Sequence, residues 1–324
     1  MIKENMLISF IIPVYNSEKY LTQCLDSIFS QPFTDFECII INDCSPGDCK
    51  NLVQNYVKER GVAINYHENN TNLGLGEARN VGVGLASGKY LFFLDSDDYL
   101  VDGGLSEAII TMLGADLELL ICNHQIYEPH NNLIKIPFSD IEQSFLASKL
   151  SIPTYAWGKF FLREYWLKHN FSFESIYAED LQLIPMVICL AKSIKVSNNP
   201  LCVYRTNFAS LTHRFYSWQD IWYLLSSLHD KFVKHDLLDD ESNVFLLSSF
   251  YNLTKVIGLG FHRYLFYKRF ITLVNALPQT KYFSEPLVNN SKRKKLQKIY
   301  ASNGWYLFKP NTRYWKFLVT KIFR

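Results

Sequence analysis

Three carboxylates fall within four residues at Asp95-Ser96-Asp97-Asp98, directly after the apolar run Tyr90-Leu91-Phe92-Phe93-Leu94. Carboxylates this close repel one another, and a divalent cation would offset the repulsion. Hard oxygen ligands suit Mg²⁺ or Mn²⁺, which keep coordination positions open for substrate phosphates. The same run also reads as a solvated turn of capping aspartates, but its place at the end of an apolar run favours the metal. Glu179-Asp180 heads a second apolar segment, Leu181, Ile184, Val187 and Ile188. Acidic residues there serve as first-turn caps or supply a general base. Arg79, in Ala78-Arg79-Asn80, suits either a surface ion pair or an anionic ligand. Trp157-Gly158-Lys159 reads as core and surface residues or as a flat platform for a sugar. Tyr204-Arg205 with Ser210-Leu211-Thr212-His213-Arg214 is a connector or a phosphate clamp.

The elements that must position these residues alternate along the first 125 positions. Leu7–Val14, Phe36–Asn42, Val62–His67, Tyr90–Leu94 and 117–122 read as strands. Between them, Tyr20, Leu21, Cys24, Leu25 and Ile28 lie at helical spacing, as do Leu52, Val53, Tyr56 and Val57. Gly74–Ala86 reads as a loop and helix, and 105–113 as a helix. Strands alternating with helices predict an α/β fold with a mainly parallel central sheet covered on both faces. Ligands in such sheets bind beyond the carboxyl ends of the strands. Tyr15-Asn16, Asp43 and the Asp95–Asp98 run all fall at such ends, so topology alone converges them. From about residue 217 the pattern is almost wholly helical. The boundary is therefore set at 216, with a catalytic domain over 1–216 and a helical region over 217–324.

Composition excludes several classes. The 324 residues are 48% hydrophobic, enough for a large core, and carry a net charge of +2, which rules out a chain basic throughout that coats nucleic acid. Seven cysteines, odd in number and without a CxxC pair, fit a reducing cytosol and neither a zinc site nor a disulfide framework. No signal peptide and no apolar stretch of membrane-spanning length is expected. Gly74-Leu75-Gly76 has Arg79 where a dinucleotide loop needs its third glycine, and Gly88-Lys89 is followed by Tyr90, not by Ser or Thr. No HExxH or GxSxG occurs, which disfavours zinc and serine hydrolases.

Taken in order, Ile8–Asn16, Asn42-Asp43-Cys44-Ser45, Asn72-Leu73-Gly74 with Ala78-Arg79-Asn80, Leu94–Asp98, Trp157-Gly158-Lys159, Glu179-Asp180 and Tyr204-Arg205 with Ser210-Leu211-Thr212 resemble the inverting family-two glycosyltransferases. The resemblance spans residues 6–215. It implies a GT-A fold, Mg²⁺ or Mn²⁺, and single-displacement transfer from a nucleotide diphosphate sugar, UDP being the nucleotide expected. Carried over by position, Pro13, Tyr15 and Asp43 hold the base, and Arg79 lies by the nucleotide and diphosphate. Asp95 touches ribose or metal, while Asp97, helped by Asp98, is the metal-side carboxylate. Asn16, Gly74, Ser96 and Arg205 belong to the same donor-side motifs, and Trp157 and Lys159 to the acceptor side. Asp180 is the expected catalytic base, with Glu179 beside it. Cys44 stands where the family commonly has Gly, which leaves the backbone path of that turn open. A nucleotidyltransferase would also use an Asp-rich metal site, but Val14-Tyr15-Asn16-Ser17 lacks its basic Gly-rich loop. A non-catalytic sugar-nucleotide-binding scaffold is the other alternative, and retention of Asp97 and Asp180 argues against it.

Residues 281–324 carry eleven Lys and Arg against one acid, Glu285, and interleave Trp305, Tyr306, Phe308, Tyr314, Trp315, Phe317 and Phe323. Such a surface suits an anionic bilayer; nucleic acid, a protein partner or a solvated helical cap would also fit it. With the family resemblance, the expectation is a cytoplasmic protein, peripheral at the inner face of the cell membrane. It would meet a glycan or lipid-linked acceptor there, in building a surface polysaccharide, capsule or lipopolysaccharide. No nucleic-acid partner is expected, and an oligomer is open.

Overall fold

Ile8–Val14 forms β1, with all seven residues buried. The computed structural model describes residues 6–130, 132–142, 153–176, 178–206, 218–237 and 246. The chain divides into two compact units, Met1–Arg214 and Phe215–Arg324. The first unit runs β1, α1 (Glu18–Phe29), β2 (Phe36–Asn42), α2 (Cys49–Arg60), β3 (Asn65–Glu68), α3 (Leu75–Leu85), β4 (Tyr90–Phe93), β5 (Tyr99–Leu100) and α4 (Gly104–Leu113). It continues with β6 (Leu119–Glu128), β7 (Leu133–Lys135), β8 (Lys159–Leu162), α5 (Arg163–Lys168), α6 (Glu179–Leu190) and β9 (Ile194–Arg205). The second contributes α7 (Trp218–Lys234). Ser210–Arg214 and the basic, aromatic 281–324 segment lie outside the described residues.

The strand order is β3-β2-β1-β4-β8-β6-β9-β5, with β7 beside β6. The β3-β2-β1-β4 half is parallel. β8 then runs antiparallel between β4 and β6, and β6 pairs parallel with β9. Continuous apolar strands are what a sheet buried on both faces requires. One face carries Phe10, Ile12, Val14 and Ile40 against Leu21, Cys24, Leu25 and Ile28 of α1 and Val53 and Tyr56 of α2. On the other face Gly82 of α3 lies so close to Ile11 that a Cβ there would collide with its side chain.

Chain order reverses at β1, whose neighbours are β2 and β4, and a crevice opens at such a switch point. Pro13 helps to open it. Leu94 N–H donates to Ile11 O on the β4 side, and Asp43 N–H donates to Val14 O on the β2 side. Alternation then points the Pro13 nitrogen toward β4, just beyond the last β1–β4 pair, Ile11 with Phe93. A residue without N–H costs nothing where the ladder has already stopped.

Candidate functional site

The crevice collects the polar ends of β1, β2 and β4. Asn16 and Cys44 both adopt left-handed backbone, φ 53° and 55°. The turn after β2 therefore keeps the conformation for which glycine is the usual residue, with cysteine in it. Asn16 N–H donates to Ser45 Oγ at 2.7 Å, and Ser45 N–H to Asn42 Oδ1 at 2.9 Å, so the two turns brace each other. Tyr15 is exposed beside them, while Pro13 is buried in β1. Ser17 Oγ and Ser96 Oγ lie 2.6 Å apart and join the β1 turn to the aspartate run.

Asp43 is buried, and its carboxylate accepts from Asn69 Nδ2 at 2.8 Å, Leu73 N–H at 2.9 Å and Gly74 N–H at 2.8 Å. It thereby fixes the loop that starts α3. Gly74, at φ 89°, makes the turn into that helix, and a Cβ on Gly76 would meet Glu174 O at 2.7 Å. Gly76 thus serves close packing of α3 against Phe173, Glu174 and Glu179.

Arg79, on α3, is buried and bridges two distant segments. Its Nη2 donates to Asp95 Oδ1 at 2.7 Å and its Nη1 to Glu179 Oε1 at 2.5 Å. Phe173 lies 5.4 Å beneath the guanidinium. Burial works against its charge, but Asp95, Glu179 and Asp180 outweigh that and raise its proton affinity. Ala178, in left-handed backbone at φ 53°, turns the chain into α6. Glu179 is thereby drawn inward to Arg79, and Asp180 follows it, half-buried. Burial, then the Glu179 charge, raise the Asp180 carboxyl to about 7, with Arg79 and the Leu181 N–H pulling the other way.

The remaining carboxylates divide their work. Asp98 is buried and accepts from Arg205 N–H at 2.8 Å. Burial, Asp97 and Asp95 push its carboxyl up. Asp97 is half-buried; burial and Asp95 raise it to about 6 against Arg205 and Lys19. Among the described residues no three His, Cys, Asp or Glu side chains form a ready metal cage. Arg205 lies over Tyr20, Tyr99 and Tyr127, donating to Asp97 O at 2.9 Å and Gln23 Oε1 at 2.6 Å. Its side chain thus clamps the aspartate turn to α1.

Trp157 is buried and stacks with Tyr155 at 4.6 Å and with Tyr204 at 5.7 Å, while His124 meets it edge-on at 4.9 Å. Lys159 is buried too, donating from Nζ to Tyr155 O at 2.8 Å. Tyr155 is the exposed ring against Trp157, and sequence reasoning passed over it. Its trace in the sequence is two aromatics two positions apart, Tyr155 and Trp157. The Arg79–Glu179 bridge left no such trace, because its partners lie one hundred residues apart.

Comparison with known proteins agrees with this geometry. Residues 9–175 match the family model "Glycosyl transferase family 2". The chain is 27% identical to EpsH of Bacillus subtilis strain 168 over 226 residues, 65% of this chain and 64% of EpsH. It is 38% identical over 105 residues, 32% of this chain and 18% of the relative, to the poly(ribitol-phosphate) beta-N-acetylglucosaminyltransferase TarS of Staphylococcus aureus. The chain thus spans less than two thirds of the length of these relatives. In structure it is similar to S. aureus TarS 1–349 in complex with UDP-GlcNAc, with a TM-score of 0.74 at 20% identity over 94% of this chain and 89% of that one. The likeness is one of fold, the GT-A arrangement. With the family model covering more than half its length, the chain belongs to glycosyltransferase family 2.

Proposed function

We propose that the protein is a metal-dependent, inverting glycosyltransferase. It would move a sugar from a UDP-sugar to a hydroxyl of a glycan or lipid-linked acceptor in surface polysaccharide synthesis. The observation that carries this reading is Arg79, which ties Asp95 on the donor side to Glu179, the neighbour of Asp180. One buried cation therefore fixes the distance between the carboxylates that meet the donor and the carboxylate that takes the proton. S. aureus TarS has been solved with UDP-GlcNAc and with UDP, and a mannosyltransferase of the same fold with GDP-Man and Mn²⁺.

Asp97 is the residue best suited to hold Mg²⁺ or Mn²⁺, since a cation would relieve its crowding with Asp95 and Asp98. When bound, the ion supplies positive charge against the diphosphate leaving group. Tyr15, Asn16 and the Asp43-braced loop line the side on which the base would lie. Asp180 accepts the proton of the acceptor hydroxyl as that oxygen attacks the anomeric carbon from the face opposite the diphosphate. One displacement inverts the configuration, through an oxocarbenium-like transition state. The basic, aromatic 281–324 segment is proposed as the contact with an anionic inner membrane face.

The test is UDP release from a panel of UDP-sugars, with and without Mn²⁺, in wild type and Asp180→Asn. Asp180→Asn is expected to lose about 10²–10⁴-fold in transfer, the usual worth of a general base, with donor affinity kept. Near-normal turnover in that variant would remove Asp180 from the role.

A further inference from the structure

The Asp95–Asp98 run is the turn between β4 and β5, closed by Asp98 N–H donating to Asp95 O at 2.9 Å. β5 pairs antiparallel with β9, Tyr99 opposite Val203 and Leu100 opposite Cys202. Continuing that register sets Asp98 opposite Tyr204 and Asp97 opposite Arg205, so the end of β9 runs alongside the turn. Helix α1 holds it too. Leu100 N–H donates to Ser27 Oγ at 2.9 Å, and Ser96 Oγ lies 2.6 Å from Ser17 Oγ, just before the helix. An early helix and a late strand thus grip one short turn.

The three carboxylates of the turn have different partners. Asp95 is tied to Arg79 at 2.7 Å. Asp98 is 2% exposed and accepts from Arg205 N–H at 2.8 Å. Asp97 is half-buried, and among the described residues no donor of another residue hydrogen-bonds its carboxylate. Arg205 is 9% exposed. Its Nε donates to Asp97 O at 2.9 Å and its Nη2 to Gln23 Oε1 at 2.6 Å. The guanidinium lies 4.8 Å from the ring centre of Tyr20 on α1, 5.3 Å from Tyr99 on β5 and 5.6 Å from Tyr127 on β6. Rings from three elements therefore pack on a cation whose fork is spent on the turn and on α1.

We infer that Asp98 and Arg205 are positioning residues, which hold the turn so that Asp97 meets the divalent cation, and that neither touches the ion or the diphosphate. Position in the sequence assigns Asp98 to the metal and Arg205 to the donor; the hydrogen bonds assign both to the turn. A carboxylate buried against a backbone amide is not free to reach an ion in the crevice. A guanidinium engaged on a carbonyl and packed by three rings is not free to follow a phosphate. Ligands of a metal depend on such outer partners for their orientation. The assignment rests on the metal-dependent donor reading given above.

Mn²⁺ binding to the full chain at saturating UDP, followed by loss of the free-ion EPR signal, tests it. UDP binding in EDTA, by calorimetry, is a separate arm. Asp97→Asn should lose the most Mn²⁺ affinity. Asp98→Asn, whose amide oxygen can still accept from Arg205 N–H, should stay within about threefold of wild type. Asp98→Ala lacks that acceptor, and Arg205→Lys keeps the charge but loses the fork; each should weaken Mn²⁺ binding about 10–100-fold, the usual worth of an outer partner. UDP affinity in EDTA should stay within about twofold in all four variants. Asp98→Asn as damaging as Asp97→Asn would make Asp98 a ligand, and weaker UDP binding by Arg205→Lys in EDTA would make Arg205 a phosphate contact. Either result, or wild-type Mn²⁺ affinity in Asp98→Ala, overturns the assignment. A wild type that binds UDP but no Mn²⁺ would instead bring down the metal-dependent reading, and the assignment with it.

Discussion

At the scale of single residues, Asp180 is the group whose chemistry depends most on its surroundings. A base must be ionised to accept a proton, and burial with Glu179 beside it holds this carboxyl up at about 7. Transfer is therefore expected to rise with pH, falling about tenfold per pH unit below that value, as a pH profile of kcat would record. Stability should run the other way. The folded carboxyl binds protons more tightly than its ordinary value of 3.8, so the native state holds more protons across the window from there to about 7. Stability contributed by this group is lost as pH rises through that window. Asp180→Asn should accordingly melt higher than wild type at pH 8 and much like it at pH 4, measured by thermal unfolding. The acidic pair Glu179-Asp180 heading an apolar helix was legible in the sequence, because that pattern is local. What raises Asp180 was not, since the burial comes from segments far away in the chain. Trp157 shows the converse: its type and neighbours are visible in the sequence, but its burial and its stacking with Tyr155 and Tyr204 come from the fold.

At the scale of elements, α3 is the part that joins the two chemical sides. It begins where Asp43 holds the amides of Leu73 and Gly74, and one turn later it presents Arg79 to Asp95 and Glu179. The helix has to sit close to β1 for Arg79 to reach both carboxylates, and Gly82 permits that approach. Gly82→Ala would drive a methyl group into Ile11, and destabilisation of about 1–3 kcal/mol is expected, read by urea unfolding. Transfer activity should fall beyond what the loss of folded protein explains, because α3 moves away with Arg79 on it. The alternation of strands and helices through residue 122 was readable from periodicity, and the ends of β1, β2 and β4 fell where the polar clusters suggested. The antiparallel insertion of β8 was not, since Lys159–Leu162 is too short to declare its partners. Within the Gly-rich stretch, Gly74 makes the turn into α3, while Gly76 and Gly82 let the helix pack closely.

At the scale of the whole molecule, charge is unevenly shared. The last 44 residues carry +10, leaving −8 for the first 280, although the sum is only +2. Among the described residues no helix is long and apolar enough to cross a membrane. Cosedimentation of the full-length protein with vesicles containing phosphatidylglycerol is expected at low salt and should decline as salt screens the contact; indifference to such vesicles at low salt would end the membrane proposal. The insertion of β8 between β4 and β6 also bears on how the polypeptide must be handled. β4 and β8 are some seventy positions apart in sequence, and pairing at that separation is slow to form. Until residue 162 has been made, the Tyr90-Leu91-Phe92-Phe93 edge stands open on one side. A naked apolar strand edge invites other chains to add to it. A fragment ending before β8 would therefore aggregate during synthesis, while one extending through α6 would close that edge and carry both halves of the chemistry together.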